Sequence, residues 1–106
     1  MSKYKKLVRD LIPDIIKAAG SKPITRKLSQ SEYKKELLIK LVEEAKEVAA
    51  TKNTAELIEE IADIQEVLLA IQEAFVVSTS EINICKKKKR AARGGFNKKL
   101  FLESVS

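Results

Sequence analysis

The sequence predicts an all-α fold, a helical hairpin or bundle built on two long antiparallel helices and completed by association of copies. Three observations carry this. Apolar residues recur at helical spacing over two long stretches, 37–49 and 57–71. Ser29, Asn53 and Ser78 each stand three residues before a glutamate (Glu32, Glu56, Glu81), the spacing of a helix N-terminus. Only a short polar break, residues 51–54, separates the two stretches, and so short a connection favours antiparallel neighbours.

In chain order, residues 3–19 form a first apolar-periodic segment through Leu7, Val8, Leu11, Ile12, Ile15 and Ile16. Pro13 is placed in a first helical turn, where proline is tolerated, and Gly20 marks the stop. Residues 21–30 read as a loop. A long helix then starts near Ser29 or Ser31, with Leu37, Leu38, Leu41, Val42, Ala45, Val48 and Ala49 on its apolar side. The second long helix covers about residues 55–75, with Leu57, Ile58, Ile61, Ile64, Leu68 and Ile71 on one stripe. A last helix, capped by Ser78 or Ser80, spans residues 79–93 and ends at Gly94-Gly95. Residues 96–105 read as a short strand or an irregular docking segment.

At 106 residues the chain is expected to form a single domain, 1–106. So short a chain buries a limited share of its surface, which is why a homodimer or homotetramer is expected. Apolar residues at 44% and charged residues at 34% exclude a disordered polymer. No apolar run approaches the roughly 20 residues that span a bilayer, and there is no leader pattern, so the expectation is a cytoplasmic protein without a membrane partner. Cys85 is the single cysteine and cannot form an internal disulfide.

The chain has no histidine. That removes Ser–His and Cys–His catalysis and histidine-based zinc sites. Metal chemistry here must use oxygen ligands, which suit hard cations such as Mg²⁺, Mn²⁺ or Ca²⁺. The net charge of +6 is unevenly spread: residues 32–73 hold 11 acids against five lysines, between basic flanks. Such a distribution suits metal at the centre and phosphate at the rim, or simply a mixed soluble surface.

The acids come in pairs. Glu44 and Glu47 on the first long helix, and Glu60 and Asp63 on the second, are three apart and so surface neighbours. Antiparallel packing brings the pairs face to face, a repulsive arrangement without a cation. At about 100° per residue Glu60 lies about 60° from Leu57, inside the edge of the apolar stripe. Glu44 sits likewise beside Leu37 and Val48, and a carboxylate on a buried face needs a partner. Glu59 and Glu66 fall on the solvent side. The alternative is ordinary helix surface with intrahelical pairs such as Glu36–Lys40.

These acids spell E-x-x-E (Glu44, Glu47), twelve intervening residues, and E-x-x-D (Glu60, Asp63). The pattern resembles the signature of the MazG-like, all-α nucleoside triphosphate pyrophosphohydrolase superfamily. Two further blocks resemble its phosphoribosyl-ATP pyrophosphohydrolase-like branch: Tyr4-Lys5-Lys6-Leu7-Val8-Arg9-Asp10-Leu11-Ile12-Pro13 and Arg93-Gly94-Gly95-Phe96. The resemblance covers nearly the whole chain. It implies Mg²⁺, with Mn²⁺ as a substitute, held by Glu44, Glu47, Glu60 and Asp63. It also implies hydrolysis of a nucleotide between its α- and β-phosphates, releasing pyrophosphate. Glu43, outside the inner shell, is the candidate to take the proton of the attacking water. One departure touches the substrate contacts: Ala91-Ala92 precede Arg93, where such sequences often carry an acid.

Arg9, Lys86, Lys89, Arg93, Gly94 and Gly95 are the candidates for phosphate contacts. Arginine binds phosphate bidentately, and glycine lets backbone N–H groups approach an anion. The bland alternative is a solvated basic helix with a glycine cap. Two other classes compete with the enzyme: an inactive helical interaction module, and a nucleic-acid binder using the basic tail. All four motif acids favour the enzyme. Few aromatics and no recognised module argue against nucleic acid.

Overall fold

A computed structural model describes residues 5–106. Tyr4 and the start of the 3–19 segment lie outside the described residues. Four helices follow in order: α1 (Ile12–Ala18), α2 (Gln30–Ala49), α3 (Thr54–Ala74) and α4 (Thr79–Arg93). No strand occurs among the described residues. The fold is all-α, as the periodicity requires. The chain divides into two compact units, Met1–Val76 and Val77–Ser106.

In the first unit α2 and α3 pack against each other as an antiparallel hairpin. Their starts are fixed by side chains. Ser29 Oγ accepts from the Glu32 amide at 3.2 Å, and Glu32 Oε1 accepts from the Ser29 amide at 3.1 Å. This reciprocal pair satisfies two donors that the first turn leaves open, and it selects Ser29 over Ser31. Arg26 adds an ion pair to Glu32 at 3.0 Å, and with the Ser29 bonds it pushes the Glu32 carboxyl down to about 2. At α3, Asn53 Oδ1 accepts from the Glu56 amide at 2.9 Å, while Glu56 Oε2 accepts from the Lys52 amide, also at 2.9 Å. Residues 50–53 connect the helices, and the Thr51 hydroxyl donates to the Val48 carbonyl at 2.8 Å.

α1 is shorter than the 3–19 segment. Pro13 sits in its first turn, and a proline deeper in a helix would lose a hydrogen bond and strike the carbonyl four residues back. The helix therefore begins at Ile12 rather than upstream. It ends where Gly20, at φ +93°, donates to the Lys17 carbonyl while Ser21 donates to that of Ile16. These are the two bonds of a Schellman stop, and the left-handed turn favours glycine.

The hairpin core is thin. Leu37, Val67 and Ala74 are its buried apolar residues among those described. The α3 stripe is open at Ile58 and Leu68, 64% and 42% exposed, and half-buried at Ile64 and Ile71. The buried residues of α3, Val67 and Ala74, stand seven apart on one side of the helix. On α2, Leu38 and Val42 are similarly open.

The second unit is α4 and the segment after it. Ser78 and Glu81 form another reciprocal cap, at 3.0 and 3.2 Å. Gly94, at φ +80°, ends the helix. Of the two expectations for residues 96–105, the irregular one is found, with a turn closed by the Lys99 amide on the Phe96 carbonyl at 3.0 Å. Among the described residues no single helix is long and apolar enough to cross a membrane.

Candidate metal centre

Glu44 and Glu47 stand on α2, one turn apart, and Glu60 stands on the first half of α3. Antiparallel packing brings one oxygen of each to within 4.8 Å of the others. Glu44 is buried, Glu60 half-buried and Glu47 exposed, so the cluster opens on one side. A single octahedral Mg²⁺ with bonds of about 2.0–2.1 Å spaces its oxygens roughly 3 to 4.2 Å apart. The three carboxylate oxygens, all within 4.8 Å of one another, lie close to that spacing.

Two oxygens lack the partners that burial demands. Glu44 Oε2 and Glu60 Oε2 are shielded from solvent and accept no hydrogen bond. An unsatisfied buried carboxylate oxygen is costly unless something cationic or protic compensates it. Lys40 supplies part of that compensation, with Nζ 3.6 Å from Glu44 Oε1. Lys40 is four residues from both Glu36 and Glu44, so spacing alone leaves its partner open.

The electrostatics agree. Burial pushes the Glu44 carboxyl above its ordinary value, the charge of Glu47 adds to this, Lys40 opposes it and Asp63 adds again. Burial also pushes Glu60 up, followed by a hydrogen bond with Glu47 and the charges of Glu47, Asp63 and Glu44.

A pH dependence follows. An acid with a raised folded-state pKa binds more protons folded than unfolded, so stability falls as pH rises from the ordinary glutamate value, about 4.3, through the raised value. Glu32 and Glu81, both shifted down, act below that window. Metal-free protein should therefore melt at a higher temperature near about pH 5 than near about pH 8, and Mg²⁺ should raise Tm more at the higher pH. Melting curves with and without chelator check this; an Mg²⁺ shift larger at the lower pH would contradict it.

Asp63 is not one of the three. Its Oδ1 is paired with Arg9 at 3.2 Å, and the other Arg9 nitrogen lies 3.8 Å from Glu66. Thus two sequence candidates of different expected roles, a metal ligand and a phosphate contact, meet each other. Glu66 lies outside the cluster and is half open to solvent, as the wheel placed it. Glu43 is exposed and also outside the cluster.

Comparison with protein-family models, curated proteins and solved structures gives no match.

The remaining candidates belong to the second unit. Lys86, Lys89 and Arg93 are exposed on α4. The Gly94 amide is already used, donating to the Arg90 carbonyl at 2.8 Å, so it is not a free anion donor. At Gly95 a Cβ would lie 3.5 Å from the Arg90 guanidinium. Arg90 thus sits against the glycine turn, a neighbour that the basic run did not single out. Arg93, Gly94 and Gly95 line a half-open concavity together with Phe96 and Lys99.

Proposed function

We propose that the protein is a metal-dependent pyrophosphohydrolase that cuts a nucleoside triphosphate or related nucleotide between its α- and β-phosphates. The observation that supports it most is the pair of shielded, unpartnered oxygens on Glu44 and Glu60 within a cluster of three carboxylates. The donor set fits a hard divalent cation, Mg²⁺ or Mn²⁺. The resemblance of the acid motif and both end blocks to the MazG-like superfamily supplies the reaction.

In this reading Glu44, Glu47 and Glu60 would hold the cation, with Asp63 as a fourth ligand, and the cation would supply neutralisation of phosphate charge and a more acidic water. Glu43, exposed on the same α2 turn, accepts the proton of the attacking water. The water oxygen bonds to phosphorus as the bridging P–O bond breaks, and pyrophosphate leaves. Arg93, Lys86, Lys89 and the glycine turn are assigned to substrate phosphates. The open stripes on α2 and α3 are assigned to contact with further copies of the chain, as a homodimer or homotetramer.

Purified protein should release pyrophosphate from at least one member of a broad nucleotide panel with Mg²⁺ or Mn²⁺, and chelator should abolish the release. Orthophosphate as the sole product would overturn cleavage between the α- and β-phosphates. No turnover across the panel would favour the helical interaction module.

A further inference from the structure

We propose that Arg9 is an internal counterion of the acid cluster, released from Asp63 when the cluster takes its cation and transferred to a phosphate oxygen of the substrate. The inference rests on the metal-centre reading above and adds a coupling between cation and substrate.

Arg9 lies just before α1, where its carbonyl accepts the Ile12 amide at 3.0 Å. That turn fixes the backbone, and the side chain reaches across to α3. One guanidinium nitrogen is 3.2 Å from Asp63 Oδ1 and the other 3.8 Å from Glu66 Oε1. Asp63 is three residues after Glu60, on the adjoining helix surface, and its charge bears on both Glu44 and Glu60. Asp63 is therefore the acid at the edge of the cluster, and Arg9 holds it there.

A divalent cation at Glu44, Glu47 and Glu60 changes this balance. It attracts Asp63 and repels the guanidinium. The existing pair is weak enough to yield: the Arg9 side chain is 60% exposed, and exposed pairs contribute little. A planar guanidinium with free donors next to a metal-bound phosphate is well suited to bidentate contact with it. Cation and nucleotide then assist each other, because each favours the released arrangement, and the coupling is reciprocal.

The test is Mn²⁺ affinity, measured by titration with paramagnetic detection, with and without a non-hydrolysable nucleotide whose α–β bridge is a methylene. The parent chain, Arg9→Gln and Glu66→Gln are compared, with melting curves to confirm folding. Without nucleotide, Arg9→Gln should bind Mn²⁺ about two- to fivefold more tightly than the parent, the range of an exposed pair removed. With the analogue, the parent should gain Mn²⁺ affinity and Arg9→Gln should gain much less. Glu66→Gln should stay within about twofold of the parent without nucleotide. Unchanged or weakened Mn²⁺ binding in folded Arg9→Gln overturns the counterion role while leaving the metal centre intact. Equal gains from the analogue in parent and Arg9→Gln overturn the transfer. A parent that binds no Mn²⁺ overturns both the inference and the reading beneath it.

Discussion

Glu60→Gln is expected to lose at least about a hundredfold in turnover and to weaken Mg²⁺ binding, without loss of the helical fold. Glutamine keeps the size and the ability to accept a hydrogen bond but loses the charge that binds a hard cation. Glu60 Oε2 is shielded and unpartnered, and Glu47, Asp63 and Glu44 all act against its charge. Removing that charge relieves repulsion, so the metal-free variant should melt no lower than the parent. Glu66→Gln provides the contrast. Glu66 lies outside the cluster and half in solvent, and such substitutions usually stay within about 0.5 kcal/mol. Titration calorimetry with Mg²⁺, a pyrophosphate assay and thermal melting read all three properties. Parent-like Mg²⁺ binding and turnover in Glu60→Gln would make it an ordinary surface acid.

Sedimentation at micromolar concentration should show a dimer or tetramer, and Ile58→Glu should shift it toward smaller species. The hairpin buries Leu37, Val67 and Ala74, while Leu38, Val42, Ile58, Leu68 and Leu69 remain open. Covering an isoleucine contributes about 1.5–3 kcal/mol. In a two-fold interface the loss counts twice, so the dissociation constant should rise by at least about a hundredfold. Because Ile58 is 64% exposed within the chain, the variant protomer should keep its helices. A parent that sediments as a clean monomer would show that these stripes face water.

Local signals in the sequence carried the helices well. Ser29, Asn53 and Ser78 cap α2, α3 and α4, because a capping bond depends on residues only three apart. The first helix was harder to bound, since apolar spacing continued upstream of Pro13 without a helix to use it. Glu44 and Glu60 were legible as buried-side acids from helical phase alone. Phase showed that Leu57, Ile58 and Ile61 share a face, but not which of two apolar faces meets α2. Asp63 was read as an equal member of the acid set. Its partner Arg9 is 54 residues away, and only the packed chain brings them together. Lys40 had two glutamates within reach on its own helix, and burial of Glu44 decided between them.

The connection at residues 50–53 has a consequence for how this chain can change in length. α2 is finished by its own last-turn bonds, and α3 is started by Asn53 with Glu56. The rotation of each helix is therefore counted from its own end, not from the other helix. Residues inserted between Thr51 and Lys52 would bulge outward and leave both acid pairs where they are. Lengthening such a connection is inexpensive, about 0.6 kcal/mol for each doubling. A single residue added inside α3, between Asn53 and Glu60, would instead turn Glu60 about 100° away from the cluster. The twelve-residue interval is thus free to vary at the bend and fixed within the helices.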